Sequence, residues 1–228
     1  MKQYDVIVIT AHPDDAFLGA GGLMLKMQDQ GLQVLVITVT DGDNLYADSV
    51  IRTNEFYKAI DFCGLEGYQM HYPNENLQFQ LKDLCHAIHE ILHDANPRLI
   101  ITHNRFDQHT DHRTVSFAVK TAKDMLFHSL RELCRLKFIL FFQPIRINLD
   151  VVRYIKPQLL CDISAYYKTK SDAVSFHTSQ MPYLNRNLNI HIALNRFFGS
   201  LLSCEYAEGY NVLCFNNSIS TDLILEAL

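Results

Sequence analysis

The stretch VIVITAHPDDAFLGAGGLML, residues 6–25, decides the predicted fold. Its first five residues are all β-branched, which is typical of a strand buried in a parallel sheet. From Phe17 onward the apolar side chains recur at helical spacing, so a helix follows the strand. Between the two lies HPDD, residues 12–15, which places an imidazole and two carboxylates at the carboxyl end of a buried strand. Such groups are costly to bury unless something compensates them.

Strand and helix patterns alternate along the rest of the chain. We predict strands at residues 4–10, 32–40, 68–73, 97–103, 137–145 and 158–164. We predict helices at residues 16–31, 50–64 and 81–96, a loop running into a helix over 102–126, and late helices at 166–181 and 189–202. This order predicts an α/β fold, a mainly parallel sheet with helices on both faces in a Rossmann-like three-layer sandwich. No repeat or long linker divides residues 1–228, so we expect a single domain.

Charge, cysteine pattern and hydropathy indicate which partners the protein binds and where in the cell it lies. The formal net charge is −5, and no basic run occurs, which argues against nucleic acid and anionic membranes as partners. The six cysteines form no C-x-x-C pair, which is typical of free thiols in a reducing compartment. We see neither a signal peptide nor a membrane-spanning segment, so we expect a cytoplasmic protein without stable membrane insertion.

Acidic and imidazole side chains follow three of the predicted strands. The first set is His12, Asp14 and Asp15, the second is Asp41 and Asp43, and the third is His103, Asp107, His109, Asp111 and His112. Because the carboxyl ends of parallel strands open on one rim of a sheet, the first and third sets can meet there. Histidine and carboxylate together suit a divalent transition metal such as zinc, with a fourth position left for an activated water.

Other interpretations of the same residues remain open at this point. His12 alone is more often a structural polar group, and Asp14 or Asp15 could cap the helix that follows. His86, His89 and His93 also recur at helical spacing, but no acidic loop accompanies them, and we interpret them as a solvated helix face. The GAGG at 19–22 is not a nucleotide-binding fingerprint, because its glycines fall inside a helix rather than in the turn after the strand.

Several motifs together resemble the PIG-L/LmbE-like family of zinc-dependent N-acetylglucosaminyl deacetylases. They run in order along nearly the whole chain: AHPDD at 11–15, TDG at 40–42, R-x-x-E at 52–55, PRLIITHNRFDQHTDHRTVS at 97–116, DIS at 162–164, K-x-x-A-x-x-x-H-x-S-Q at 170–180 and AEGY at 207–210. The resemblance implies an enzyme that removes acetate from an N-acetylated amino sugar or its conjugate. It implies Zn²⁺ as the cofactor, with Fe²⁺ as an alternative, a small-molecule amino-sugar partner, and a possible homo-oligomer.

The resemblance also implies a role for each site residue. The metal ligands would be His12, Asp15 and His112. Asp14 would be the general base, and His109 would stabilise the oxyanion and help to protonate the leaving amine. Arg52 and Asn74 would contact the substrate, and Asp111 would orient an imidazole.

The chain departs from the family pattern at two positions. Ala16 stands where the family usually has glutamate. Many relatives have an aspartate that hydrogen-bonds the sugar near the position of Asn74, and this chain has asparagine there. Two other functions therefore stay open beside deacetylation. One is a metal-dependent amidase or esterase acting on another substrate. The other is a non-catalytic binding protein on the same scaffold, for which Ala16 is the only support.

Overall fold

A computed structural model describes residues 2–45, 47–131, 134–145 and 155–214, of which 182–187 and 214 are described at the backbone alone. Seven strands in this part of the chain form one sheet: β1 Val6–Thr10, β2 Val34–Thr40, β3 Glu66–Tyr72, β4 Leu99–Thr102, β5 Phe138–Phe142, β6 Leu159–Asp162 and β7 Ala207–Cys214. Their order across the sheet is β3-β2-β1-β4-β5-β7-β6. The first five of these are parallel, and β7 runs antiparallel to both of its neighbours.

The structure confirms the predicted mainly parallel sheet but adds the strand β7, which the sequence did not predict. The reason is its composition. Glu208, Gly209 and Asn211 interrupt the apolar pattern by which the other strands are recognised. Glu208 is nevertheless buried, with 1% of its surface exposed.

Six helices connect or follow the described strands: α1 Asp15–Asp29, α2 Ser49–Cys63, α3 Leu81–Ala95, α4 Thr110–Leu130, α5 Tyr167–Ser175 and α6 Met181–Leu202. Short 3₁₀ turns lie at Leu77–Gln80 and Thr178–Gln180. The late helices differ from the prediction, because α5 ends at Ser175 and α6 begins at Met181 rather than at residue 189. Pro182 stands in the first turn of α6, where its fixed φ suits a helix start.

The two faces of the sheet pack against different helices. Along β1, Val6 and Val8 join the apolar cluster that contains side chains of α1, α2 and α5. Ile7 and Ile9 join the cluster that contains side chains of α3 and α4. This period-two alternation gives the three-layer sandwich that the sequence predicts. None of the described helices is long and apolar enough to cross a membrane.

The GAGG segment of α1 packs tightly against Phe142 of β5 and Ile163, which directly follows β6. A Cβ on Gly19 would lie 2.5 Å from the Phe142 ring, and one on Gly22 would lie 2.6 Å from Ile163, so no larger residue fits. The Glu208 carboxylate accepts hydrogen bonds from the backbone N–H groups of Gly22 and Leu23, both at 2.9 Å. It also accepts from Lys170 Nζ at 2.7 Å. The AEGY and K-x-x-A motifs therefore fasten α1 and α5 to β7.

Candidate metal centre and active site

The site lies where the chain leaves two neighbouring parallel strands, β1 and β4. Residues 11–14 lead from β1 into α1, and residues 103–109 lead from β4 into α4. The Asp15 carboxylate accepts a hydrogen bond from the His12 backbone N–H at 2.8 Å, which closes the first turn. His109 caps α4, since its Nδ1 accepts from the Asp111 backbone N–H at 3.2 Å. The two segments predicted to meet do so.

Three donor atoms form a nearly equilateral triangle at the centre of the site. His12 Nδ1 lies 3.1 Å from Asp15 Oδ2 and 3.1 Å from His112 Nε2. His112 Nε2 lies 3.3 Å from Asp15 Oδ2. Tetrahedral Zn²⁺, with bonds of about 2.0 to 2.1 Å, separates its ligands by about 3.3 Å. The three predicted ligands therefore fit a tetrahedral cation.

The charges around this triangle oppose the effect of burial. Burial disfavours the charged form of His112, but the carboxylates of Asp107 and Asp15 raise its pKa to about 10. Burial works to raise the pKa of Asp15, yet His112, His12 and His103 hold that pKa well below its usual range. The negative charges of Asp15 and Asp107 therefore favour positive charge at this place. A bound divalent cation would displace the proton of His112 and supply that positive charge instead.

Asp107 supports the triangle from behind. Its Oδ2 lies 3.0 Å from His112 Nδ1 and accepts from the Ile145 backbone N–H at 2.7 Å, while its Oδ1 accepts from the His109 backbone N–H at 2.9 Å. The orienting role predicted for Asp111 did not extend to Asp107, for which the sequence predicted no role of its own. Asp111 Oδ2 lies 3.5 Å from His12 Nε2 and accepts from the Glu75 backbone N–H at 2.8 Å. The signal for Asp107 was its place in the same loop as His109 and His112.

Asp14 lies beside the triangle and is held by Arg52. Arg52 Nη2 donates to Asp14 Oδ1 at 3.1 Å, and Arg52 Nε donates to the Gly42 carbonyl at 3.1 Å. Burial works to raise the pKa of Asp14, but the Arg52 guanidinium lowers it below the usual value. Asp14 is therefore an ionised carboxylate at neutral pH. Arg52 is 2% exposed, so it is buried behind Asp14 rather than open to solvent.

His109 occupies the less buried side of the centre. Its ring centroid lies 4.7 Å from that of His12 and 4.7 Å from that of His112. One nitrogen atom from each of His12, His109 and His112 also lies within 4.8 Å of the other two, so these residues form a further donor group beside the triangle. The imidazole is therefore close enough to contact whatever binds at the triangle.

The chain is similar to a known family and to several known proteins. The family model PIG-L, described as GlcNAc-PI de-N-acetylase, matches residues 7–123, which include every predicted site residue. The chain belongs to the PIG-L family. The diacetylchitobiose deacetylase of Thermococcus kodakarensis is 26% identical over 226 residues, covering 90% of this chain and 81% of that protein.

Two further relatives extend the comparison. The probable N-acetyl-alpha-D-glucosaminyl L-malate deacetylase 2 of Bacillus cereus is 27% identical and covers 77% of this chain and 83% of that protein. Among solved structures, the conserved protein TT1542 of Thermus thermophilus has a TM-score of 0.80 at 22% identity, covering 96% of this chain and 97% of that one. The PIG-L relatives support deacetylation, and the structural likeness supports the fold.

His103, another histidine of the PIG-L match, has a different position from the three predicted ligands. Together with Asp15 and His112 it forms another group of donor atoms within 4.8 Å of one another. However, its Nε2 already accepts a hydrogen bond from the Ala11 backbone N–H at 2.9 Å. Its ring stacks on His112 with centroids 4.1 Å apart. Burial lowers the pKa of His103 to about 4, so the ring is neutral and packs against the centre.

Asn74 lies on the loop after β3, at the rim of the PIG-L site. Its Nδ2 donates to the Asp43 carbonyl at 2.7 Å, and its Oδ1 has no hydrogen-bond partner among the described residues. The next residue, Glu75, joins the loop to Asp111 at the centre. The Asn74 amide oxygen is therefore buried and unpartnered within the described residues, on a loop that contacts Asp111 through Glu75.

The histidines of α3 lie apart from this centre. His89 Nε2 lies 3.2 Å from Ser129 Oγ, and its ring centroid is 5.9 Å from that of His93. Within the described ranges, the donor groups that could hold a metal contain no residue of α3. His86 and His93 are exposed and His89 is half-buried, as expected for a solvated helix face.

Proposed function

We propose that this PIG-L protein is a metal-dependent hydrolase that removes the acetyl group from an N-acetylated amino sugar or its conjugate. The observation that carries the proposal is the triangle of His12, Asp15 and His112, with edges of 3.1 to 3.3 Å, beside the Asp14 carboxylate. The deacetylases among its relatives support the same reaction. The substrate class comes from those relatives, because their names describe N-acetylated sugars.

His12, Asp15 and His112 would hold the cation, and we propose Zn²⁺, with Fe²⁺ as the alternative. Two imidazole nitrogens and one carboxylate oxygen are a donor set that suits either ion. When bound, the cation supplies Lewis acidity and lowers the pKa of water at its open position.

Asp14 and His109 move the protons in the proposed mechanism. Asp14, kept ionised by Arg52, accepts a proton from the water that attacks the acetamide carbonyl carbon. His109 donates a hydrogen bond to the oxygen that becomes negatively charged in the tetrahedral transition state. It then helps to protonate the departing nitrogen. The C–N bond breaks, acetate leaves, and the free amine of the sugar remains.

The substrate contacts are proposed at the rim and behind Asp14. Asn74 stays a proposed substrate contact, in which its buried and unpartnered Oδ1 would accept a hydrogen bond from a sugar hydroxyl. Arg52 stays a proposed substrate contact through Nη1, although this group is buried and its Nε and Nη2 already donate to Gly42 and Asp14. Asp111 would orient His12, whose Nε2 it faces.

A panel of acetylated compounds tests the proposal. Free amine and acetate should be released from N-acetylglucosamine, from N,N′-diacetylchitobiose or from an N-acetylglucosaminyl conjugate by the zinc-loaded protein. Matched O-acetyl sugars test the alternative esterase activity, and Asp14→Ala is the inactive control. Release from esters only would favour the alternative hydrolase. Binding of a sugar without release of acetate, even after zinc is added, would favour a non-catalytic binding protein.

The number of domains and the cellular compartment are also proposed. We propose that residues 1–228 form one domain, because a single sheet gathers strands from Val6 to Cys214. We propose the cytoplasm as the compartment. Five described cysteines carry free thiols, which is typical of a reducing environment: Cys63, Cys85, Cys134, Cys161 and Cys204.

We also propose that the protein forms a homo-oligomer. Large apolar side chains are exposed at the end of α6, namely Phe197 at 56%, Leu201 at 59% and Leu202 at 43%. Burial between copies would remove this surface from water. Light scattering on the wild type and on Leu201→Glu tests the proposal. An oligomer weakened by the substitution supports it, and a monomeric wild type contradicts it.

A further inference from the structure

The 3₁₀ turn Thr178–Gln180 is bonded to α2 by a buried carboxylate. Glu55 Oε1 accepts from Thr178 Oγ1 at 3.0 Å and from the Ser179 backbone N–H at 2.7 Å. Glu55 Oε2 accepts from Ser179 Oγ at 2.7 Å. These three bonds join the R-x-x-E motif to the H-x-S-Q motif across 123 and 124 residues of sequence. They hold the turn, and therefore the preceding His177, in a fixed place.

His177 is the one side chain of that motif whose polar atoms lack a partner. The residue is fully buried, and neither ring nitrogen has a hydrogen-bond partner within the described ranges. Its ring centroid lies 6.0 Å from that of Phe17. An imidazole buried without hydrogen bonds costs stability, and natural proteins rarely keep one without a reason.

The charged neighbours of His177 are residues of the active site. Glu55, which holds the turn after His177, lies next to Arg52, and Arg52 donates to Asp14 Oδ1 at 3.1 Å. These three groups and Asp15 act electrostatically on the His177 ring. Arg52 Nη1 is likewise buried without a hydrogen-bond partner, at 4.0 Å from Glu55 Oε2. Burial lowers the pKa of His177 to about 4, so the ring is neutral at pH 7 and has one N–H donor and one acceptor. A neutral donor can bind a carboxylate without adding a charge.

We propose that His177 is a positioning residue for Asp14, completing with Arg52 the set of groups that hold this carboxylate during the reaction. The ring donates its N–H to the Asp14 carboxylate through one water. Glu55 fixes the turn so that the ring stays in place. This inference deepens the proposed deacetylation and rests on it.

The kinetic test compares His177→Leu and His177→Gln with the wild type, with Phe17→Leu as a control that changes the same packing contact. His177→Leu removes only unpaired polar atoms, so we expect an unchanged or higher Tm and unchanged zinc content. We expect kcat on the best substrate to fall at least tenfold, with KM within twofold. His177→Gln, which keeps a donor, should recover part of kcat. Phe17→Leu should keep kcat.

Three results would overturn the inference. An unchanged kcat in His177→Leu would mean that the ring has no role in turnover. A loss of kcat together with a lower Tm, not recovered by glutamine, would mean that the role is structural. A rise in KM with kcat retained would mean that the ring contacts substrate instead of Asp14.

A spectroscopic measurement separates this inference from the proposed function. The imidazole ¹⁵N resonances of His177 can be identified by their loss in His177→Leu. We expect them to shift in Asp14→Asn, because the N–H partner changes, and no shift would contradict the inference. If the wild type turns over none of the acetylated compounds, the proposed function fails. The NMR result then still tests whether His177 contacts Asp14.

Discussion

His112 Nδ1 lies 3.0 Å from Oδ2 of Asp107, an aspartate five residues earlier in the chain. The same carboxylate accepts from the backbone N–H groups of His109 and Ile145. It therefore fixes the His112 ring with Nε2 facing His12 and Asp15. Carboxylates behind ligating histidines set the tautomer and strengthen metal binding.

Asp107→Asn should weaken the binding of zinc about 10- to 100-fold, because the amide no longer stabilises the correct His112 tautomer. Competition with a chromophoric chelator measures the affinity. Asp41→Asn is a suitable control, since Asp41 pairs with His71 at 2.7 Å on a different loop. Equal affinity in Asp107→Asn and the wild type would show that Asp107 has no part in the centre.

Asp14→Ala and Asp14→Asn should keep their zinc and lose turnover by about 100-fold or more, which is typical for removal of a general base. The asparagine can still accept from Arg52, so it separates loss of the base from loss of that contact. Zinc content and kcat are measured on the same samples. Normal turnover in Asp14→Asn would mean that another group accepts the proton.

Lys170→Met should lower the free energy of unfolding by about 3 to 5 kcal/mol, because it leaves the Glu208 carboxylate buried without its cation. Lys170 and Glu208 are 5% and 1% exposed at their side chains. Lys168→Met, on the same helix, removes the exposed pair with Asp172 and should cost about 0 to 1 kcal/mol. Urea unfolding of both variants measures the difference. Similar small losses in both would contradict a structural role for the buried pair.

His191 predicts how stability changes with pH. Burial, and after it the charge of Lys170, lowers the pKa of His191 in the folded state to about 4. In the unfolded chain the pKa of a histidine is about 6.5. Between these values the unfolded chain binds a proton that the folded chain does not. The free energy of unfolding therefore falls as pH falls from about 6.5 to about 4, by about 1.4 kcal/mol per pH unit for this group.

Urea unfolding at pH 7 and pH 5 checks this pH dependence. His191→Gln can still donate to the Ile145 carbonyl, which His191 Nε2 faces at 3.1 Å, and it should show a shallower dependence. His93→Gln, at a side chain 46% exposed, is the control and should keep the wild-type dependence. An unchanged dependence in His191→Gln would mean that other groups govern acid unfolding.

The parts of the structure that the sequence predicted are those set by local patterns. β1 and β2 are uninterrupted β-branched and apolar runs, and Gly64 ends α2 with a φ of 63°. His12, Asp15 and His112 meet because parallel neighbours open on one rim of the sheet. These conclusions needed only residue types, their spacing and the geometry of parallel sheets.

The parts that the sequence did not predict depend on tertiary partners. β7 contains the buried carboxylate of Glu208. Hydrogen bonds from Lys170, Tyr210 and two backbone N–H groups of α1 offset the cost of burying it. Asp107 and Asp111 are both near imidazoles in sequence, and only the turn before α4 decides which ring each one faces. Spacing alone could not assign them.

Zinc content is the most direct test of the central claim that His12, Asp15 and His112 form a metal centre. Elemental analysis should be made on the wild type, on His112→Ala and on His89→Ala, after purification and again after zinc is added. We expect about one zinc per chain in the wild type and in His89→Ala, and none in His112→Ala. No zinc in the wild type even after addition, or full zinc in His112→Ala, would contradict it.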